Sequence, residues 1–577
     1  MLVRDRSLST VPLLCLALLA LLPRLANLGG FSLWLDEIIE TNQASGSFLE
    51  MLAALRADAV HPPLEGVIAW VGLQAGLGET ARRLIPIAFG VGTILVVARW
   101  AARRFGRLEG LLVGTAMALA PFHVHYSQEL RPYALALFCA ALSLTAADRL
   151  IDAVDARRVV GFFFAVLATL YTHYLSAAIL VPLVWLVLER AFVRTPLLGP
   201  PPQGGRRALR REVGDEGTAG SLHFEEGSPS AEGALPPCGG GQEGGSLERP
   251  ARRLLLASPL FALGWALAYA PWISVMLDAR QQRMQRPATR WHLGSLCERW
   301  HELTFGTESH ALCWTGLLAL VLVGIGIRRA ARSAEGRAVI AGALAGTVGV
   351  EIVLQLSRHW SEARYMLVGW LFLAVLLGLG LAEICRFLRA LAIRPALKVE
   401  LQCALLGTFA LAAGTGIVWD YAHRSDWLWA ARVIVASSRP GEPVFALNAS
   451  TEICLAHYLP RAAGSRRPPE LIPLDGSVAR LGAAWPARGS ALLVRRGRGR
   501  GGEVIQAVRS AVLLAEDPPT QVKIWLLGPD ERLRAFPGKA ETTRASERPE
   551  PPRKLPARLR PRPERWEPLS RFLLGFL

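Results

Sequence analysis

The chain predicts an all-α polytopic membrane bundle of about 11 transmembrane helices, with interfacial helices in its first outer loop and a small C-terminal α/β domain. Three observations predict it. Of 577 residues, 52% are hydrophobic, a composition rare in soluble domains. The apolar residues fall in blocks of roughly 17–22, the length that crosses a hydrocarbon core of about 30 Å. The formal charge of +17 comes almost entirely from arginines that cluster between those blocks, which is the positive-inside pattern rather than a nucleic-acid footprint.

The first block has the position of a signal peptide, but no small-residue cleavage site follows and further blocks come after it. It reads as a retained helix over residues 10–28. Residues 29–80 form the first outer loop. Within it, residues 45–57 have the pattern of a short amphipathic helix lying along the interface. Residues 64–78 are apolar but short, so length alone leaves spanning and interfacial readings open. The charges decide. Arg99, Arg103, Arg104 and Arg107 read as cytoplasmic, as do Arg149, Arg157 and Arg158. That holds 64–78 in the interface and makes 81–101, 108–125 and 133–149 the next three crossings. Asp36, His61 and the segment His125–Arg131 then share the outer face.

As one helix, residues 159–189 would be about 45 Å long, too long for the core. The polar Tyr171-Thr-His-Tyr174 therefore marks an outer turn between two helices. Residues 195–253, rich in Gly, Pro, Arg and Glu, read as a disordered cytoplasmic insertion. Further crossings are predicted over 254–275, 312–327, 338–356, 366–384 and 401–419. Outer segments lie at 276–311 and Ser357–Tyr365. Residues 1–420 thus form the membrane domain. Residues 421–534 alternate short apolar runs (Pro443–Leu447, Ala491–Val494, Val522–Leu527) with helical stretches (Ser425–Ala436, Glu452–Tyr458, Glu503–Leu514) and read as a small α/β domain outside. The Pro- and Arg-rich tail 535–577 reads as disordered.

Several side chains could carry chemistry. Asp36 and Glu37 follow Phe31-Ser-Leu-Trp-Leu and precede Ile-Ile. A carboxylate held among such neighbours at an interface gains basicity by desolvation, which suits a general base. The bland reading is a solvated helix-boundary charge. His61 stands before Pro62-Pro63, which fix the backbone. It can meet a phosphate or cap an interfacial helix. Tyr126, Glu129 and Arg131 join two crossings near the outer surface, where an arginine opposes the positive-inside bias and calls for an anionic partner. His173 reads as a polar lining residue. Arg364 and Tyr365 open a helix from the outer side, as a snorkelling pair or a second phosphate contact.

His123 and His125, two apart, face different sides of a helix and make a poor metal pair. Eight cysteines include no C-x-x-C pair, so no zinc or redox motif is signalled. Cys297 and Cys313 share one outer segment and could bridge. No phosphate-cradling or dinucleotide glycine motif is present, so no nucleotide cofactor is expected.

The ordered series Leu33-Trp-Leu-Asp36-Glu37, His61-Pro-Pro-Leu64, Arg82/Arg83-Leu-Ile-Pro, Ala120-Pro-Phe-His-Val-His-Tyr-Ser-Gln-Glu-Leu-Arg-Pro-Tyr133, Tyr171-Thr-His-Tyr174 and Ala363-Arg-Tyr365 resembles the polytopic GT-C glycosyltransferases. It most resembles the bacterial protein O-mannosyltransferase-like proteins of glycosyltransferase family 39. The aminoarabinose transferases that modify lipid A are more distant relatives. The resemblance covers residues 10–420. It implies inverting transfer of a hexose or pentose from a polyprenyl-phosphate donor to a protein, lipid or polysaccharide acceptor of the cell envelope. The protein would lie in the plasma membrane with its site on the extracytoplasmic side. The resemblance implies Asp36 as the catalytic acidic residue, the general base, with Glu37 beside it, and His61, Arg131 and Arg364 around the donor phosphate. Tyr126, Glu129, His173 and Tyr365 would line the substrate cavity. It leaves a divalent metal open. The competing class is a lipid or sugar transporter, which would show inverted repeats and broken helices at the midplane. A third reading is a membrane scaffold presenting the C-terminal domain.

Overall fold

A computed structural model describes residues 8–26, 28–192, 248–284, 299–304, 313–357, 361–424, 426–439, 442–474, 491–496, 512–517 and 522–527. Most of the insertion at 195–253, most of the outer segment 276–311 with Cys297, and the tail 535–577 lie outside the described residues.

The chain begins with α1 (Thr10–Leu25). The first outer loop carries four short helices, α2 (Leu35–Gln43), α3 (Phe48–Asp58), α4 (Leu64–Gln74) and α5 (Glu79–Arg82). Next come α6 (Leu84–Phe105), α7 (Arg107–Leu119), α8 (Pro121–Tyr126), α9 (Tyr133–Asp152), α10 (Ala156–Leu170), α11 (Leu180–Phe192) and α12 (Glu248–Met284). A short helix α13 (299–304) precedes α14 (Cys313–Ala330), α15 (Ala334–Leu344), α16 (Val350–Leu356), α17 (Leu367–Ala390) and α18 (Pro395–His423).

Among the described residues, seven segments are long and apolar enough to cross a membrane. The four other positions where the sequence predicts crossings hold α1, α7, α10 and α14, of 16, 13, 15 and 18 residues. Residues 159–189 do divide at Tyr171–Tyr174, where a 3-10 turn (Tyr174–Ile179) leads into α11. α4 has 11 residues, about 16 Å of helix, too short to span and in keeping with the interface. α3 starts at Phe48 because Ser47 and Glu50 cap it reciprocally: Glu50 Oε2 accepts from Ser47 N at 2.7 Å, and Ser47 Oγ accepts from Glu50 N at 3.4 Å. Two expectations for the membrane domain shift. The stretch 29–44, read as loop, contains α2. The crossing expected over 254–275 is the middle of α12, 37 residues long with Pro259 and Pro271 inside it.

Burial is inverted relative to a soluble protein at the rim of the bundle. On α1, Leu16, Ala20 and Arg24 face inward while Val11, Leu14, Leu18 and Leu22 are exposed, the surface expected against lipid chains. α17 is apolar all round and 83% of its apolar window is buried, as befits the central helix. It packs on α7, α14 and α15. Glycines permit the closest approaches: a Cβ on Gly326 would collide with the carbonyl of Leu376, and one on Gly380 with that of Leu322.

At the C-terminal ends of α6, α9 and α17 arginines meet carboxylates, Arg103 and Arg104 being among those read as cytoplasmic. Arg104 pairs with Asp148 and Asp152, each at 2.7 Å, and Arg103 with Asp148 at 2.8 Å. Arg386 pairs with Glu109 at 2.7 Å, and Arg190 pairs with Glu335. The N-terminal ends of the same three helices carry Arg83, Arg131 and Arg364, the other charge centre. The 22 residues of α6 separate the two ends by about 33 Å.

The C-terminal part holds α19 (Trp427–Ser437), α20 (Ala449–Ala463) and strands β1 (Val444–Ala446), β2 (Leu471–Pro473), β3 (Ala491–Arg496), β4 (Val512–Asp517) and β5 (Val522–Leu527). The sheet order is β2-β1-β3-β5-β4. β1 runs parallel to β2 and β3, and β5 is antiparallel to β3 and β4. The three apolar runs named from the sequence are β1, β3 and β5. The end of the stretch 503–514, read as helical, belongs instead to β4, whose edge pairs with β5 from Val512 onward. This core also takes in Leu33 and Ile38 from the first outer loop.

Replacing Gly380 by Leu should destabilise the α14–α17 contact by about 1–3 kcal/mol, read as a lower Tm of the full chain in detergent. Gly407→Ala in α18, where a Cβ meets nothing within 4 Å, should leave Tm unchanged or raise it slightly.

Candidate active site

The site is assembled where the first outer loop meets the N-terminal ends of α9 and α17. α2 supplies the acids. Asp36 lies in its first turn, where the positive end of the helix dipole favours a carboxylate. Glu40 follows one turn later, on the same face. The Asp36 carboxylate accepts from Arg364 Nη1 at 3.0 Å and lies 3.9 Å from Arg131 Nη2. Arg131 also donates to the Asp36 carbonyl at 3.2 Å, to Glu40 Oε2 at 2.7 Å and to His61 Nε2 at 2.7 Å. The last bond requires a neutral imidazole with its hydrogen on Nδ1. Arg364 further pairs with Glu362 and covers the faces of Trp34 and Tyr365 at 5.2 and 5.5 Å.

Asp36 is the more open member, with 26% of its side chain exposed against 13% for Arg364 and 7% for Arg131. Burial, which Arg131 only partly offsets, pushes the Glu40 carboxyl up to about 7.

The aromatic candidates line up behind the ions. The His173 ring lies 5.0 Å from His61, and 6.2 Å from both Tyr133 and Tyr365. Tyr126 packs edge-on against Phe122, His125 and Tyr133. The structure thus brings Asp36, His61, Arg131, Arg364, His173 and Tyr365 into one constellation. The Asp36 carboxylate and the Arg364 guanidinium are in direct contact in this arrangement.

Glu37 and Glu129 turn to other partners. Glu37 is buried; it accepts from Trp34 N at 3.1 Å and Leu130 N at 2.8 Å and pairs with Arg83 at 3.1 Å. Glu129 accepts from His125 Nε2 at 2.9 Å, and His125 Nδ1 bonds Asp420 at 2.6 Å. Asp420 also holds Arg424 at 2.7 Å. His125 and His123 do part company, since His123 bonds Arg24 at 3.0 Å. Among the described residues, no group of three or more His, Cys, Asp or Glu side chains is arranged to hold a metal ion.

Sequence reading missed Glu40, Glu65, Asp420 and Arg424. Glu40 carried a signal, its four-residue spacing from Asp36, which becomes visible once 35–43 is known to be helical. Asp420 carried none, being 295 residues from His125.

These elements define a class, a membrane-spanning helical bundle that gathers carboxylate, guanidinium and imidazole groups at one end of its helices. No family model matches the chain, and no curated protein does either. Among solved structures it is similar to ArnT from Cupriavidus metallidurans in the apo state, with TM-score 0.47 and 15% identity over 89% of this chain and 97% of that one. For ArnT bound to undecaprenyl phosphate the TM-score is 0.48 and the identity 14%, over 90% and 98%. For the archaeal oligosaccharyltransferase AglB from Archaeoglobus fulgidus, in complex with an inhibitory peptide and a dolichol-phosphate, the values are 0.43 and 12%, over 78% and 63%.

Burial opposes protonation of His125, yet Asp420 and Glu129 hold its pKa up at about 9, above the ordinary 6.5. The imidazolium therefore stabilises the fold in full below the unfolded value and loses that contribution as pH rises through about 9. Wild-type Tm in detergent should fall between about pH 6.5 and about pH 9, and a His125→Gln variant should lack that component.

Proposed function

We propose that the chain is an inverting glycosyltransferase that moves a sugar from a polyprenyl-phosphate donor to a cell-envelope acceptor at the extracytoplasmic face. The observation that carries this reading is the convergence of Asp36 with Arg131, Arg364 and His61 at the end of the bundle remote from the arginine–carboxylate lattice. Positive-inside bias assigns that lattice to the cytoplasm, so the site lies outside. Nucleotide donors belong to the cytoplasm, and a lipid-borne donor supplies an already activated sugar there.

A lipid phosphate stays at the interface because the hydrocarbon core would strip its hydration. The N-terminal ends of α6, α9 and α17 all point their positive dipole ends toward this region. In the resting arrangement the guanidiniums of Arg131 and Arg364 hold Asp36. An arriving phosphate takes those N–H groups, which prefer its bidentate geometry, and releases the carboxylate. Asp36 then accepts the acceptor hydroxyl proton as that oxygen attacks the anomeric carbon. The glycosyl–phosphate bond breaks on the opposite side, and Arg131, Arg364 and His61 bear the charge that develops on the leaving phosphate. Glu37 acts as a positioning residue, fixed by Arg83. Tyr126, Glu129, His173 and Tyr365 shape the walls.

Asp36→Asn should lower sugar transfer from a polyprenyl-phosphate donor by about a hundredfold to ten-thousandfold, while binding of bare undecaprenyl phosphate stays within a few-fold. Wild-type-like transfer by this variant would remove Asp36 as the base. Arg364→Ala should weaken binding of the bare lipid by about tenfold or more. An unchanged dissociation constant would remove it from the phosphate site.

A further inference from the structure

Arg131 and Arg364 already answer more negative charge than they carry. Arg131 pairs with Asp36 and Glu40, and Arg364 with Asp36 and Glu362, so three carboxylates share two guanidiniums. A phosphate seated on the same arginines adds a further anion and no cation. Like charges held this close in a partly dry site do not all stay ionised. One carboxyl has to take up a proton.

Burial selects which. The Glu40 side chain is 8% exposed, against 26% for Asp36 and 37% for Glu362, and the ionised form costs most where water is least. Asp36 also sits in the first turn of α2, where the helix dipole favours its anion. Glu40 lies one turn further in. Arg131 is the one cation bonded to it among the described residues, from Nη1 at 2.7 Å, and a phosphate competes for that guanidinium.

The other charges around Glu40 do not make up the loss. Glu65 of α4 is buried beside it, and Asp36 and Glu37 repel it from its own helix. Arg82 of α5 lines the same small cleft but donates to Thr41. His61 is bonded to Arg131. On α20, His457 and Arg461 engage Glu79, and on α3 Asp58 accepts from Gln43. With its carboxyl already at about 7 in the empty site, Glu40 needs only a modest further push to be neutral at physiological pH.

We propose that binding of the donor phosphate draws a proton onto Glu40, which gives up its claim on Arg131 while Asp36 stays ionised to act as the base. The proposal rests on the phosphate site of the transferase reading above.

The sign follows from linkage. Below about pH 7 Glu40 is protonated before the lipid arrives, so binding takes up little. Above it, binding brings a proton in and affinity falls as pH rises. Titration calorimetry of the full chain in detergent counts that proton, from the difference in binding heat between two buffers of unequal ionisation enthalpy. The probe is the methyl ester of undecaprenyl phosphate, a diester with one fixed negative charge, since the bare lipid adds its own ionisation at about pH 6.

The wild type should take up about half a proton to one proton per lipid at about pH 8, and about a tenth or less at about pH 6. Its affinity should fall about fivefold or more between about pH 7 and about pH 9. Glu40→Gln should bind the ester without proton uptake and with level affinity over that range. Should Glu40→Gln fail to fold, His61→Gln, which removes the other titratable group on Arg131, should keep the uptake at saturating ester. A wild type that binds the ester without taking up a proton overturns the proposal. So does uptake that survives in Glu40→Gln or vanishes in His61→Gln, since either puts the proton elsewhere. In all three cases the phosphate reading stands. If the wild type does not bind the ester at any pH, the phosphate reading falls and this inference with it.

Discussion

Arg83 fastens the first outer loop to the membrane bundle. Its guanidinium is buried at the start of α6, pairs with Glu37, donates to the Ser32 carbonyl at 3.3 Å and covers the Phe31 ring at 3.9 Å. Through Glu37 the same pair reaches Leu130 N, one residue before Arg131. One ion pair thereby sets the relative places of α2, α6 and the junction before α9. Removing one partner from such a pair costs about 3–5 kcal/mol, because the other charge is left buried alone. The precision with which Asp36 meets Arg131 and Arg364 depends on this anchor.

The bundle separates its charges by purpose. At one end, arginines and carboxylates neutralise one another between neighbouring helices, and the pairs tie α6, α7, α9, α11, α15 and α17 together. At the other, Arg131 and Arg364 each serve several acceptors at once. Charges of the second kind can exchange partners, because each guanidinium has more donors than any one carboxylate requires. The apolar segments between the two ends keep ionised groups at the margins, where water remains within reach.

Much of this was legible in the sequence because the bilayer imposes a length and an inverted polarity. The blocks, the break at Tyr171–Tyr174 and the short α4 all follow from hydropathy and charge. So did the grouping of Asp36, His61, Arg131 and Arg364, since each sits where an apolar segment begins or ends. The partners that orient them were not legible. Glu37 and Asp36 are adjacent in sequence, yet one is buried on Arg83 and the other meets the site, a division made by the pitch of α2. Asp420 and His125 meet only because α18 returns past α8. Such pairings depend on how helices are arranged about one another, which periodicity within a single segment does not encode.

The contact of Leu33 and Ile38 with the C-terminal domain bears on the order in which the protein matures. Tyr458 Oη accepts from Leu33 N at 2.6 Å and donates to Glu79 at 3.2 Å, and Arg461 and His457 also engage Glu79. The loop that carries Asp36 is made well before its cover on α19 and α20, which emerges after some four hundred further residues. During that interval, Leu33 and Ile38 have the membrane interface for company instead of a protein core. Completion of the site therefore waits on α19 and α20, and a polypeptide released after α18 but before them carries every ion-pairing residue of the site but not the surface that shapes the loop.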